Sequence, residues 1–243
     1  MARFFMAGTN LVGGTAIIRG RDAEHVQVLR IRPGEDVTIC DTQGTDYKCR
    51  LVRADKEEAE FEVVEVVPCT SEPSVKVTVL CGLPKGDKTE YIIQKSVEAG
   101  AARILFFQCE RCVAKPDTPG KKIDRWQRIA EEAAKQSGRG IIPEVGWAGN
   151  FADALNEAVH TDLALFMYET GEREKLNEVL GANPGIASAA IITGPEGGFA
   201  EFEAKLAKIA GLHICSMGER ILRCETAPVV ALSAIMYATG NLS

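Results

Sequence analysis

The sequence predicts an α/β protein in which a small N-terminal β-barrel precedes a C-terminal domain built on a parallel sheet. Between residues 36 and 67, short strand patterns follow one another without a long helix, which favours a small barrel. From residue 75 onward, apolar strand patterns alternate with helical ones, which favours a parallel sheet covered by helices. The run Pro68–Pro73 separates the two patterns. We therefore assign residues 1–70 to the first domain and residues 74–243 to the second.

The composition is that of a globular protein without a membrane partner. The chain has 243 residues, of which 46% are hydrophobic and 26% charged, so each domain can bury a core. No apolar run approaches the length of a membrane span or of a secretory signal. The eight cysteines are mostly embedded in apolar strand-like runs, as expected of reduced core residues. We therefore expect a soluble, cytoplasmic protein.

The charge is unevenly distributed along the chain. The net charge of −6 by itself argues against a nucleic-acid partner. However, residues 1–32 carry five arginines against two acidic residues, and residues 76–150 carry thirteen basic against nine acidic residues. Phosphate binding depends on the local field, so these two segments can form a basic face on an acidic protein.

The first domain contains one helical pattern among its strands. Strands are predicted at Thr15–Arg19, Val37–Cys40, Tyr47–Arg53 and Glu60–Val67, and a helix at Asp22–Arg32 with His25, Val28 and Leu29 at helical spacing, ended by Pro33 and Gly34. A lone histidine such as His25 is more often a packed or capping residue than a catalytic one. Arg3, Arg30 and Arg32 are candidate phosphate or base contacts, because a guanidinium offers a planar fork of donors.

The second domain alternates strands and helices. Strands are predicted to begin near residues 75, 104, 163, 189 and 212, and helices at Thr89–Ala99, Asp124–Gln136, Phe151–Val159 and Thr226–Thr239. Thr89, Asp124 and Thr226 are predicted to cap their helices, and Pro228 fits a first turn. The last helix carries apolar residues over a wide surface, which indicates burial.

Several common sites are excluded by spacing. Gly82 and Gly86 are one residue too close for a P-loop, and no Gly-x-Gly-x-x-Gly is present, so neither a nucleoside triphosphate site nor a dinucleotide site is indicated. Cys109 and Cys112 have the spacing of metal ligands, but no second Cys or His pair follows them. We expect no metal.

Two loops near the C-terminus are the most informative stretches. The apolar strand ending at Thr193 leads into Gly194-Pro195-Glu196-Gly197-Gly198, and a second loop runs from Met217 to Ala227 after another short apolar segment. Glycine permits backbone shapes closed to other residues and lets a ligand approach the amides. The first loop therefore suits a ligand held by the main chain.

The order Gly-Pro-Glu-Gly-Gly-Phe at 194–199 and Gly-Glu-Arg-Ile-Leu-Arg-Cys-Glu-Thr-Ala at 218–227 resembles the RsmE family of SPOUT methyltransferases, which methylate a uridine of 16S ribosomal RNA at ring nitrogen 3. The resemblance extends over the whole chain. It implies a SPOUT-type parallel sheet with a trefoil knot that holds S-adenosylmethionine, a PUA-like RNA-binding domain at 1–70, and a homodimer. It also implies 16S ribosomal RNA or the 30S subunit as partner.

The resemblance implies a set of site residues. The cofactor-binding candidates are Tyr168, Gly194, Pro195, Glu196, Gly197, Gly198, Met217, Gly218, Ile221, Leu222, Arg223, Thr226 and Ala227. The RNA-binding candidates are cations and one histidine, namely Arg3, His25, Arg30, Arg32, Lys85, Lys88, Lys95, Arg125, Arg128 and Arg139.

Arg223 and Glu225 are the catalytic candidates. Uridine nitrogen 3 is a poor nucleophile while protonated, so a base or a cation that stabilises the uracil anion must assist. Arg223 could hold the uracil or its phosphate. Glu225 could be the base, or it could complement the dipole of the following helix. Other SPOUT reactions, on ribose 2′-O or on guanosine, and a cofactor-free role in ribosome assembly are the alternatives to uridine methylation.

Overall fold

The computed structural model describes residues 2–6, 11–114 and 119–242. The chain divides into two compact units. The first comprises Met1–Glu72 together with Ala134–Ile142, and the second comprises Pro73–Ala133 together with Pro143–Ser243. The division after residue 72 falls in the proline-bounded run that marked the change of pattern in the sequence. Nothing in the sequence pattern indicated that residues 134–142 belong to the first unit.

The described part of the first unit is a six-stranded sheet with one helix. Its elements are β1 (Arg3–Phe5), β2 (Leu11–Val12), β3 (Thr15–Arg19), α1 (Arg21–Val28), β4 (Asp36–Cys40), β5 (Thr45–Ala54) and β6 (Glu58–Pro68). The sheet order is β1-β4-β5-β6-β3-β2, with β1 and β4 parallel and the other pairs antiparallel. The sheet curls around a buried core that includes Phe4, Ile39, Leu51 and Phe61.

Helix α1 is shorter than the sequence predicted. It ends at Val28, because Arg30 adopts a left-handed backbone conformation with φ of 56°. Its buried face consists of Ala23 and Val26, whereas the side chains predicted at helical spacing lie outside the core: Val28 is 73% exposed. The prediction of a helix over Asp22–Arg32 is therefore wrong in its last four residues.

The described part of the second unit is a parallel sheet of seven strands with helices between them. The strands are β7 (Lys76–Gly82), β8 (Arg103–Gln108), β9 (Glu144–Asn150), β10 (Leu163–Met167), β11 (Glu174–Lys175), β12 (Ser188–Thr193) and β13 (His213–Ser216). The helices are α2 (Lys88–Glu98), α3 (Pro119–Ser137), α4 (Phe151–Ala158), α5 (Leu176–Ala182), α6 (Glu201–Ile209) and α7 (Ala227–Ala238). The last residues of α3, from Ala134 onward, belong to the first unit. The sheet order is β11-β13-β10-β12-β7-β8-β9, and every pair is parallel. The predicted α/β class is confirmed.

The predicted helix caps are wrong in detail. Helix α2 begins at Lys88 after Asp87, so Thr89 lies inside it and is buried. Helix α3 begins at Pro119, five residues before Asp124. Thr226 does precede α7, but its side chain makes no capping hydrogen bond, and Pro228 occupies the first turn as predicted.

In a parallel sheet the carboxyl ends of all strands lie on the same side, here called the carboxyl edge. Strands β7, β10, β12 and β13 are neighbours or near neighbours there, so the loops that follow them meet. Beneath these loops the Phe199 ring lies 4.4 Å from that of Phe166 and 5.8 Å from that of Phe151, centroid to centroid. Phe199 is buried and directly follows Gly198, so it anchors the end of the glycine-rich loop.

Within the ranges that the structure describes, no helix combines the length and apolar character needed to cross a bilayer.

Candidate functional site

A cavity of about 390 Å³ opens at the carboxyl edge of the second unit's sheet. The residues after β10 form one wall. The segment Gly194–Gly198 after β12, here called the glycine loop, forms a second. The segment Met217–Ala227 after β13, here called the arginine loop, forms the third. Segments that are far apart in the sequence thus line one concave surface, as is usual for ligand sites in open α/β sheets.

The cavity gathers most of the predicted cofactor-binding residues. Those that line it are Tyr168, Gly194, Pro195, Glu196, Gly198, Met217, Gly218, Ile221, Leu222, Arg223 and Ala227. Gly197 and Thr226 are not among the lining residues. The lining also includes residues that sequence reasoning missed at this site, namely Met167, Glu169, Arg173, Cys215 and Ser216, and it includes Lys88, which was predicted to bind RNA.

The glycine loop requires its glycines. Gly198 has φ of 64°, and a Cβ there would collide with the Glu169 carboxylate. A Cβ on Gly194 would lie 3.1 Å from the carbonyl carbon of Gly198. Arg111 donates from its guanidinium to the Gly197 carbonyl at 3.1 Å, so this glycine packs against the turn after β8. The loop is therefore a tight turn whose shape other residues would change.

Lys88 bridges the two loops. Its Nζ lies 2.9 Å from Glu196 Oε1 in the glycine loop and 3.6 Å from Glu225 Oε2 in the arginine loop. Burial opposes ionisation of Glu196, but the hydrogen bonds from Lys88 and from backbone amides hold the pKa of Glu196 below its ordinary value. The pKa of Glu225 is likewise lowered, first by its backbone hydrogen bond and then by Cys224, Lys88 and Arg223. Both carboxylates are therefore ionised at neutral pH.

The remaining polar groups of the arginine loop differ in their exposure. The Arg223 side chain is 85% exposed, and its Nη1 lies 3.9 Å from Glu225 Oε1, at the edge of ion-pair range. Cys224 is buried and donates to Glu225 Oε2 at 3.2 Å. Burial raises the pKa of the Cys224 thiol to about 12, so this cysteine is a neutral hydrogen-bond donor and not a thiolate nucleophile.

Comparison with known proteins identifies the family. A family model described as an RNA methyltransferase domain matches residues 70–236, and one described as an RNA methyltransferase PUA domain matches residues 18–64. The Ribosomal RNA small subunit methyltransferase E of Bacillus subtilis (strain 168) is 39% identical over 235 residues, which cover 94% of this chain and 92% of that protein. The chain belongs to the RsmE family.

Two further relatives agree with RsmE membership. The Ribosomal RNA small subunit methyltransferase E of Mycobacterium bovis (strain ATCC BAA-935 / AF2122/97) is 32% identical over 239 residues, covering 94% of this chain and 88% of the relative. A crystal structure of the Neisseria gonorrhoeae Ribosomal RNA small subunit methyltransferase E bound to S-adenosyl methionine has a TM-score of 0.87 at 32% identity. That similarity covers 98% of both chains.

Apart from Lys88, the cations predicted to bind RNA in this RsmE chain fall into two groups. Arg3 and Arg139 are held inside the first unit, because Arg3 pairs with Asp46 at 2.5 Å and Arg139 with Glu72 at 2.6 Å. Their side chains are only 9% and 5% exposed. These buried pairs argue against phosphate contacts by either arginine, since each guanidinium already satisfies a carboxylate of its own unit.

The other predicted RNA contacts are more accessible. Arg30, Arg32, Lys85 and Arg128 are exposed. Lys95 pairs with Glu98 at 2.8 Å and Arg125 pairs with Glu90 at 2.5 Å, both at solvent-accessible positions where such pairs are weak. His25 is half-buried and its ring meets that of Phe4 edge-on at 6.2 Å, so the structure favours a packing role for it.

The two cysteines with metal-like spacing form a thiol pair. Cys109 and Cys112 are buried, with their sulfur atoms 3.2 Å apart. Their hydrogen bond raises the pKa of Cys109 and lowers that of Cys112. In the part of the chain that the structure describes, no group of three or more His, Cys, Asp or Glu side chains could hold a metal ion.

Proposed function

We propose that this chain transfers a methyl group from S-adenosylmethionine to ring nitrogen 3 of a uridine in 16S ribosomal RNA. The observation that carries the proposal is the cavity between the glycine loop and the arginine loop, at the carboxyl edge of a parallel sheet in an RsmE chain. The related Neisseria gonorrhoeae structure was determined with S-adenosyl methionine bound.

The residues present fit that cofactor. The cavity volume of about 390 Å³ falls in the range of sites that hold drug-sized molecules. Its lining combines backbone groups of the two loops with the apolar side chains of Ile221 and Leu222 and with the carboxylates of Glu196 and Glu225. Such a lining offers amide hydrogen bonds to a polar ligand, apolar contact to a flat ring, and negative charge near a cation.

The cofactor, when bound, supplies a methyl group on a positively charged sulfur. The contribution of the protein is to bring the uracil nitrogen into line with that methyl group and to assist loss of the nitrogen's proton. Glu225 is poorly suited to take this proton, because its lowered pKa makes it a weak base. We assign Glu225 instead to holding Lys88 and the arginine loop.

Arg223 is the proposed catalytic residue. Its guanidinium projects from the arginine loop beside the cavity and is largely exposed, so an incoming uracil or its phosphate can reach it. A cation at this position would stabilise the negative charge that develops on the uracil as its proton leaves.

RNA binding is assigned to the exposed cations of each unit. Arg30 and Arg32 serve in the first unit, which contains the match to the PUA domain, and Lys85, Lys95, Arg125 and Arg128 serve in the second. The substrate is 16S ribosomal RNA or the 30S subunit, which places the enzyme in the cytoplasm.

The same proposal includes the oligomeric state of the protein and the knotted path of its chain. We assign a homodimer, supported by helix α7, whose Tyr237 is 75% exposed and Val230 40% exposed beside a row of buried apolar residues. The trefoil knot expected of a SPOUT domain is also assigned to the glycine and arginine loops.

Primer extension on treated RNA tests the proposed reaction. Unmodified small subunits are incubated with the protein, with and without S-adenosylmethionine, and the 16S RNA is then reverse transcribed. A methyl at nitrogen 3 blocks Watson–Crick pairing, so we expect a cofactor-dependent stop at one uridine. Methyl incorporation without a stop would indicate ribose methylation, and a modified guanosine would indicate another SPOUT reaction. Failure to bind the cofactor in calorimetry would leave a role in ribosome assembly.

A further inference from the structure

The position of Lys88 differs from that of the other cations predicted to bind RNA. Its Nζ lies inside the cavity, 2.9 Å from Glu196 Oε1, 3.6 Å from Glu225 Oε2 and 3.7 Å from Cys224 Sγ. Lys85, three residues earlier, has an exposed side chain, and its backbone amide donates to the same Glu196 oxygen at 3.1 Å. The chain around the start of α2 is therefore joined to the glycine loop through the Lys85 amide, and to both loops through the Lys88 ammonium group.

We propose that Lys88 is a positioning residue of the methyl transfer, which holds the glycine loop and the arginine loop in their binding geometry by neutralising Glu196 and Glu225. The inference rests on the proposed function and refines it, because it moves Lys88 from the RNA-contacting group to the cofactor site.

Electrostatics supports this role over a phosphate contact. Two carboxylate oxygens lie within 3.6 Å of the same nitrogen, so without that cation two like charges would remain close together in the lining of the cavity. The pKa of Lys88 is raised, first by its hydrogen bond to Glu196, so the ammonium stays charged over the working pH range. A cation engaged by two carboxylates has little to offer a phosphate. The same cation determines how far apart the two loops lie.

Calorimetric titration of S-adenosylmethionine into the wild type, Lys88→Met, Lys88→Arg and Lys76→Met provides the test. We expect Lys88→Met to weaken cofactor binding about tenfold or more, a loss within the coupling range of neighbouring charges. Lys88→Arg should bind within about threefold of the wild type, because it keeps the charge. Lys76→Met is the matched control, since this exposed lysine lies at the amino end of β7, whereas the cavity lies at the carboxyl ends of the strands. Its affinity should be unchanged.

Repeating the Lys88→Met substitution in a second protein, Glu196→Gln, distinguishes the loss of charge neutralisation from a simple loss of side-chain packing. In a Glu196→Gln protein, one of the two carboxylates is already gone, so adding Lys88→Met should cost much less than it does in the wild type. Equal losses in both backgrounds would overturn the proposal. If Lys88→Met alone folds poorly, Lys88→Arg still tests the proposal, because a loss of cofactor affinity well beyond threefold in this charge-keeping variant would overturn it.

Measurement of RNA affinity identifies the opposite outcome, in which Lys88 contacts RNA instead of positioning the two loops. If Lys88 contacts a phosphate, Lys88→Met will leave cofactor affinity unchanged and reduce the salt dependence of RNA binding by about one counterion. That result would overturn the proposal while the proposed function stands. Absence of cofactor binding by the wild type would instead contradict the proposed function itself.

Discussion

The glycine and arginine loops and the cations that the sequence predicted to bind RNA differ in how their positions are determined. Each loop follows directly on a buried strand, and the parallel sheet brings those strand ends together. The cations are scattered along the chain, and the availability of several of them depends on a partner that is far away in sequence. Arg139 pairs with Glu72, 67 residues distant, and Lys88 with Glu196, 108 residues distant. A site formed by the loops at strand ends is therefore easier to predict from sequence than one formed by single charged side chains.

Arg139→Met should produce the largest effect, and it should fall on stability. Removing the guanidinium leaves Glu72 without its counter-charge in a partly buried setting, which costs about 3 kcal/mol. Urea unfolding measures the loss, and the exposed Arg128→Met serves as control, with less than about 0.5 kcal/mol expected. RNA affinity per folded molecule should not change. A stable Arg139→Met protein with weakened RNA binding would place Arg139 among the RNA contacts after all.

Arg223→Ala should act on turnover. We expect kcat to fall about a hundredfold, as when a single group that stabilises transition-state charge is removed. Cofactor affinity, measured by calorimetry, should change far less, because the guanidinium is 85% exposed and makes only a 3.9 Å contact with Glu225. Equal losses in turnover and in cofactor affinity would remove the catalytic assignment.

The double substitution Arg30→Ala/Arg32→Ala should have the smallest effect, confined to RNA. Each lost phosphate contact should weaken RNA binding a few-fold and lower the salt slope by about one. The matched control is Arg50→Ala/Arg53→Ala, because these exposed arginines of the same unit pair with Asp36, Glu58 and Glu60. If the control pair weakens RNA binding as much as the test pair does, the face around Arg30 has no special role.

Much of the fold could be predicted because it is encoded locally. The strands beginning near residues 75, 104, 163, 189 and 212 were recognisable as short apolar runs. Strand β9 was missed because Glu144–Asn150 has two glycines and is mostly half-buried, and β11 has only two residues, both exposed. These are edge strands, where the sequence pattern is weakest.

The limits of prediction in the site follow from distance along the chain. The two loops could be found because their glycines and their position after strands are local features. The roles of Arg3, Arg139 and Lys88 could not be found, because nothing near them in sequence identifies Asp46, Glu72 or Glu196 as their partners. The end of α1 was missed for a different, local reason, since Arg30 adopts a left-handed backbone conformation that is uncommon for a residue other than glycine.

Calorimetry with S-adenosylmethionine on the wild type, Gly198→Ala and Gly211→Ala tests the central claim most directly. Both glycines have positive φ, of 64° and 91°, so both alanine variants carry similar backbone strain of about 1 kcal/mol. Of these two glycines only Gly198 lines the cavity, and its added Cβ would displace the flexible Glu169 carboxylate, which lines the same cavity. The account predicts tight binding by the wild type and Gly211→Ala, and a loss of at least about tenfold for Gly198→Ala. Equal affinity in all three proteins, or no binding by the wild type, would contradict it.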